Sequence, residues 1–387
     1  MITPFDLGRV PPLSFGPGRL ADVPQIVAER GVGPVLLVAD AILDELGVVG
    51  RLARGLEAAG ISCITAARIV GEPKETLVDA LSGMAREAGA VIGLGGGAAM
   101  DAAKLVAAIA PSGRPASDFA LGAAPFPDIR LPAIAIPTTA GTGSEVTRTA
   151  IVSDAEGAKN WFWGEELMFA HAVLDPELTV SLPPRITAWT GIDAVAHALE
   201  ATTSRSSNPG GRHFGLEALR LLSDGLPRAV AGPGDVEARG QVLWASTIAG
   251  LALHNCNTHM GHNISHSLGS LARIHHGLAT GLALEVTLPW LVQHPEGAEN
   301  YALAAAALGA PAEPKALPAA FSNLMRACQI PAELPDVCDG VTAPALAALM
   351  KNPANHGMSQ NAACPVTDAD LDEMATMMMD LPIAVPA

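Results

Sequence analysis

Between residues 34 and 137 the chain returns three times to an uninterrupted apolar run, and this rhythm limits its fold more than any other feature. Pro34–Ala39 (PVLLVA), Ala90–Leu94 (AVIGL) and Ala133–Pro137 (AIAIP) show no polar residue at every second place. A strand with one wet face alternates; a strand that does not alternate is covered on both faces, as in a parallel sheet sandwiched by helices. Ser62–Thr65 reads as a further strand, and helical patterns over about 41–59, 74–88 and 100–110 fill the intervals. The β-α-β-α order predicts an α/β domain with a parallel sheet.

After the break at Pro183-Pro184 the texture changes. Alanine- and leucine-rich helical patterns follow over 187–203, 209–231, 236–254, 258–271, 277–293, 298–308, 315–328, 343–351 and 368–379, with no convincing strand. The expected organisation is therefore an α/β domain over 1–183 and an all-α domain over 184–387. That division suits 387 residues at roughly 100 to 200 per domain.

Composition narrows the function. Basic residues number 23 and acidic residues 39, a formal charge of −16. Such a field repels phosphate backbones and anionic lipid, so the sequence predicts neither a nucleic-acid nor a membrane-surface partner. The 49% hydrophobic content raises the question of a membrane span. The strongest candidate is the stretch 240–272, which lacks Asp, Glu, Lys and Arg, but its apolar part runs only from Val242 to Leu253. A spanning helix needs about 20 apolar residues, so a helix buried in a soluble domain is expected instead. Five scattered cysteines without a C-x-x-C pair, and a first segment MITPFDLGRV without a secretory pattern, lead to the expectation of a reducing, cytoplasmic home.

Three loops follow predicted strands and should share the carboxyl edge of the sheet, where open α/β folds bind ligands. Gly93-Leu94-Gly95-Gly96-Gly97 opens a predicted helix, so its backbone can approach a diphosphate and offer helix N-terminal N–H groups; it can equally be a tight turn packing helix on strand. Asp40 ends the first strand. Its carboxylate can accept ribose hydroxyls and repel a 2′-phosphate, favouring NAD, or it can simply cap the helix that begins at Ala41. The segment Pro137–Glu145 (PTTAGTGSE) offers hydroxyls without bulk.

The second half carries the other concentration of chemistry. Six of the 11 histidines (His254, His259, His262, His266, His275, His276) lie between 254 and 276. His262 and His266 stand i, i+4 on one predicted helix, and Asp193 and His197 stand i, i+4 on another. A carboxylate with several neutral imidazoles and no thiolate suits Fe²⁺ or Zn²⁺ rather than Mg²⁺ or Ca²⁺. His254, His259 and His275 show no partner in the sequence and fit core histidines as well. The polar run His254–His259 hints at a polar substrate.

Together the G-G-G-x3-D-x2-K loop at 95–104, PTTAGTGSE at 137–145, D-P-x-L at 175–178, D-x3-H-x2-E at 193–200 and H-x3-H-x9-H-G at 262–277 resemble the iron-containing (group III) alcohol dehydrogenases, in order over most of the chain. The resemblance implies a Rossmann-like first domain, a helical second domain of dehydroquinate-synthase-like architecture, and a dinucleotide held between them. It makes Asp193, His197, His262 and His276 the metal ligands. It places Asp40, Gly95, Gly96, Gly97, Asp101, Thr138, Thr139, Thr142, Ser144, Lys159 and Leu178 around NAD, and His266 beside the metal, facing substrate and nicotinamide. One turn from a ligand, His266 is the catalytic candidate for relaying the proton, with structural packing as the competing explanation. Glu200 is a candidate to orient His197. The family usually has a hydroxyl residue after the glycines, where this chain has Ala98-Ala99.

The implied activity is hydride transfer between a small alcohol or carbonyl compound and NAD, in a homodimer or larger homo-oligomer. Two rivals share the scaffold. A sugar-phosphate lyase or cyclase would want a basic pocket in the helical half, where Arg and Lys are sparse. A maleylacetate-reductase-like enzyme would lack part of the metal set, all four positions of which are present.

Overall fold

The computed structural model describes residues 4–384, which fall into two compact units. One is Arg9–Ser181; the other takes in the chain from Leu182 onward together with the N-terminal segment ending at Gly8. The change of unit thus falls at Ser181/Leu182, and the segment before Arg9 goes with the helices, where the Gly8 N–H donates to Asn255 Oδ1 at 2.7 Å.

The α/β unit runs β1 (Leu13–Phe15), α1 (Val23–Glu29), β2 (Val35–Asp40), α2 (Ala41–Glu45), α3 (Val48–Ala58), β3 (Cys63–Ile69), α4 (Glu75–Ala85), β4 (Ala90–Gly95), α5 (Gly97–Ile109), β5 (Ala133–Pro137), β6 (Thr149–Ser153), β7 (Lys159–Trp163) and β8 (His171–Leu174). Six strands form one parallel sheet in the order β1-β8-β5-β4-β2-β3, and β6 and β7 form a separate antiparallel pair. The non-alternating runs are the inner strands: Val35–Ala39, Ala90–Gly95 and Ala133–Pro137 are buried throughout. Their register sets Ala39 beside Leu94 and Gly95 beside Pro137, so Asp40, the glycine loop and PTTAGTGSE leave the same edge of the sheet.

Several expectations change in detail. The single helix expected over 41–59 is two, α2 and α3, broken at Gly47 with φ 73°, a left-handed conformation that glycine adopts without Cβ strain. Helix α5 starts at Gly97 rather than Met100. Strands β1, β6 and β7 carry too few residues, or too mixed a pattern, to stand out in sequence.

The helical unit runs α6 (Pro184–Thr203), α7 (Pro209–Ala231), α8 (Val236–Cys256), α9 (Met260–Leu271), α10 (His276–Leu291), α11 (Ala298–Ala307), α12 (Leu317–Ala327), α13 (Ala343–Met350), α14 (Pro353–Gln360) and α15 (Asp368–Met379). Proline begins α6, α7 and α14, where its missing N–H leaves no intrahelical bond unmade. The starts of α7, α8 and α15 are capped by Asn208, Asp235 and a Thr367–Asp370 capping box. The charge-free stretch is α8 from Gly240 onward together with α9, both largely buried, and α10 is apolar on nearly every side. Among the described residues no helix is long and apolar enough to cross a membrane. Helix α14, with only eight residues, was not foreseen.

Candidate metal centre and cofactor loop

In the helical unit, α6 carries Asp193 and His197, α9 carries His262 and His266, and His276 is the first residue of α10. Asp193 is 3% exposed and its Oδ1 has no hydrogen-bond partner, nor has Nε2 of the buried His262. These two atoms face each other at 3.8 Å, and His276 Nε2 stands 3.5 Å from the same Oδ1. Donor atoms about 2.0–2.2 Å from one tetrahedral ion stand about 3.3–3.6 Å apart; the His276 contact falls in this range and the pair of unsatisfied atoms 0.2 Å beyond it, a spacing that small ring movements adapt to a bound cation. One ligand atom from each of Asp193, His262 and His276 lies within 4.8 Å of the others. His197 completes the wall: its Nδ1 is 4.0 Å from Asp193 Oδ2 and its ring stacks on His262 with centroids 4.6 Å apart. Burial pushes the Asp193 carboxyl up, but the imidazoles of His197, His276 and His262 outweigh it and hold it below its ordinary range. His266 is buried, its ring centroid 4.8 Å from that of His276 and 6.1 Å from that of His262.

Glu200 corrects one expectation. It accepts a 2.5 Å hydrogen bond from Nδ1 of His262, so it orients His262 and not His197. The spacing on α6 could not show this, because the choice depends on how α9 crosses it. His259 also has partners: its Nε2 bonds to Thr203 Oγ1 at 3.0 Å and its backbone N–H donates to Glu200 Oε2 at 3.1 Å. The polar run 254–259 likewise serves the fold. Asn255 accepts from Gly8 and donates to Leu251 O, while Asn361 holds the carbonyls of Cys256 and Thr258.

In the α/β unit, Asp40 occupies the N-cap position of α2 but makes no side-chain cap bond; its Oδ2 accepts the Gly96 N–H at 2.7 Å. Burial raises its carboxyl above the ordinary range, with the Gly96 N–H opposing. The glycines are there for space. Gly95 has φ 150°, and a Cβ on it would stand 2.5 Å from Asp40 Oδ2. A Cβ on Gly97 would stand 2.8 Å from Thr142 Cγ2. Gly96 is the N-cap of α5 and has no side chain to fill the first-turn N–H groups, which suits an anion there.

The other residues expected around the cofactor are placed as follows. Thr138 is buried, its N–H bonded to Gly95 O, and Thr139 flanks Gly96. Thr142 Oγ1 accepts from the Ser144 N–H, and Ser144 Oγ donates to Asp101 at 2.6 Å. Asp101 also accepts from the Ile151 N–H. Lys159 pairs with Glu72 at 3.2 Å, and Leu178 is buried in the core beside the sheet. Lys104, the lysine that ends the G-G-G-x3-D-x2-K motif, is buried and donates to Thr147 Oγ1 and Thr149 O.

Two family profiles divide the chain between them, that of the iron-containing alcohol dehydrogenases over residues 11–176 and that of their C-terminal domain over 187–374. The chain is 37% identical over 284 residues to a probable alcohol dehydrogenase, EutG, of Escherichia coli K12, covering 72% of this chain and 71% of that protein. It is 32% identical over 277 residues to an NAD-dependent methanol dehydrogenase of Bacillus methanolicus, covering 70% and 72%. Among solved structures, the sulfoacetaldehyde reductase of Bifidobacterium kashiwanohense in complex with NAD⁺ matches with a TM-score of 0.89 at 29% identity, over 98% of this chain and 99% of that one.

Proposed function

The chain belongs to the iron-containing alcohol dehydrogenase family, and on that premise we propose that it interconverts a small alcohol and its aldehyde or ketone with NAD(H) at a metal held by Asp193, His197, His262 and His276. The observation that carries this reading is the pair of unsatisfied buried atoms, Asp193 Oδ1 and His262 Nε2, facing each other with His276 Nε2 at the same point. When bound, Fe²⁺ or Zn²⁺ supplies a Lewis acid for the substrate oxygen and NAD(H) takes or gives the hydride.

The chain's own groups do the rest. Asp193 supplies the anionic ligand atom, and the burial of its neighbours keeps competing water out. A ring nitrogen of His266 takes the hydroxyl proton in oxidation and returns it in reduction. In the α/β unit, the first-turn N–H groups of α5 and the hydroxyls of Thr138, Thr139, Thr142 and Ser144 receive the diphosphate and nicotinamide ribose. Asp40, already bonded to Gly96, takes an adenosine-ribose hydroxyl and disfavours a 2′-phosphate. Asp101 fixes Ser144, Lys159 adds a cation, and Leu178 adds an apolar wall.

Metal-stripped protein reconstituted with Fe²⁺ or Zn²⁺ is assayed at 340 nm against a panel of alcohols and aldehydes. The reading expects net NADH formation or consumption that disappears on chelation. A lyase or cyclase with internal redox chemistry gives no net change, and metal-independent turnover points to the maleylacetate-reductase-like alternative.

A further inference from the structure

We propose that Glu200 is the positioning residue of the metal centre: it forces His262 into the tautomer whose Nε2 lone pair faces Asp193, and it holds the start of α9 at the distance the centre requires. The proposal rests on reading Asp193, His262 and His276 as a metal centre.

Glu200 is fully buried, on the same face of α6 as Asp193 seven residues earlier. The His262 ring therefore lies between two carboxylates of one helix. A carboxylate can only accept, so the 2.5 Å contact to Glu200 Oε2 requires a proton on His262 Nδ1. In the neutral ring, Nε2 is then left with its lone pair, opposite Asp193 Oδ1 at 3.8 Å. Two acceptors facing each other are satisfied only by something positive between them. Without Glu200 the neutral ring has an easier arrangement, donating Nε2–H to Asp193, and that self-satisfied pair would close the centre to a metal. In the neutral ring Glu200 removes this competitor.

The same carboxylate reaches the backbone. It accepts the Gly261 N–H at 2.5 Å and the His259 N–H at 3.1 Å, and His259 Nδ1 lies 3.3 Å from Oε1. His259 is the N-cap of α9 and Gly261 lies in its first turn, yet no side chain of the cap residue itself bonds that turn. Glu200 thus caps, from another helix, the helix that carries His262 and His266. The approach is close: a Cβ on Gly261 would stand 3.0 Å from Glu200 Oε1. Three donors, the Nδ1–H of His262 and the N–H groups of His259 and Gly261, thus converge on the two oxygens of this one buried carboxylate.

The test uses Zn²⁺ as probe, with the full-length chain and Glu200→Gln. Chelator competition is expected to show Zn²⁺ binding 10- to 100-fold weaker in the variant, the usual scale for losing an outer partner of a ligating histidine. In Zn²⁺-loaded wild-type protein, ¹⁵N–¹H spectra of the imidazoles are expected to show His262 protonated at Nδ1. A merely structural Glu200 would lower thermal stability and leave both readouts unmoved, and equal Zn²⁺ affinity in the variant overturns the proposal. So does a His262 protonated at Nε2 or metallated at Nδ1, a measurement that decides the matter even if Glu200→Gln does not fold. Wild-type protein that binds no Zn²⁺ removes the metal-centre reading itself, a distinct outcome that takes the proposal with it.

Discussion

Gly277 follows His276, a ligand in the proposed metal centre, and its hydrogen is the only atom the space allows. A Cβ there would lie 2.0 Å from the carbonyl oxygen of Trp189, 2.9 Å from the carbonyl carbon and 3.1 Å from Asp193 Cβ. The obstacle is the backbone of α6, which cannot swing aside as a side chain could. Carbon and carbonyl oxygen settle at about 3.3 Å, so Gly277→Ala must part α10 from α6 by about 1.3 Å. Metal sites tolerate errors of about 0.2 Å in ligand position, so His276 would leave the set defined by Asp193 and His262. Overpacking of this kind costs about 1–3 kcal/mol, or about 2–12 °C in melting temperature for a unit of this size. The expected result is a lower melting temperature for the metal-free protein and Zn²⁺ affinity at least tenfold weaker by chelator competition. Gly357→Ala is the control, because it lies within α14 with nothing inside 4 Å of its new Cβ. If Gly277→Ala matches wild type in both measurements, the close contact between α6 and α10 does not set the ligand geometry and the reasoning fails.

Asp193→Ala should retain less than a tenth of the bound metal by elemental analysis and lose turnover with it; full metal content would remove Asp193 from the ligand set. Asp40→Gly should narrow the preference for NAD over NADP by about tenfold or more in kcat/KM, because a ribose-binding carboxylate and its repulsion of a 2′-phosphate are both lost; an unchanged ratio contradicts the role given to Asp40. Burial lowers Lys104 from 10.5 to about 8, against the opposing charges of Asp101 and Glu145. Between those two pH values the unfolded chain holds more protons than the folded one, so the contribution of Lys104 to stability rises with pH, and below about 8 its buried charge is fully unfavourable. Denaturation midpoints of wild type relative to Lys104→Met should therefore climb from pH 8 to pH 10; a fall over that interval contradicts the assignment.

The sequence showed most clearly those features that repeat along one element. The buried strands declared themselves because Val35–Ala39 has no wet face, and α7 was bounded within a residue by Pro209 and the Gly232 that follows it. Asp193 with His197, and His262 with His266, were legible because i, i+4 fixes a shared helix face. What the sequence could not show depends on how one element crosses another. Glu200 lies three residues from His197 and 62 from His262, yet it is the distant ring that it holds. Asp40 had the position of a helix cap and turned instead to the next loop, a choice set by the pairing of β2 with β4. The three-residue β1 is too short for a periodic signal and α14 (PANHGMSQ) too polar for one, and both are held by neighbours, β1 by β8 and α14 by the Asn263 and Asn355 bonds to α9 and α13.

The Gly8–Asn255 bond also bears on the order in which this chain can become structured. A ribosome delivers the N-terminal segment first, then the complete α/β unit by Ser181, and Asn255 much later. The α/β unit is thus a continuous piece inserted into a discontinuous one, and can mature while the segment ahead of it waits for its acceptor. Domains generally fold as units in the order they emerge, so the helices that carry the histidines are the last to close. Trimming the chain before Arg9 would therefore be felt in the unit completed last, far along the sequence from the cut.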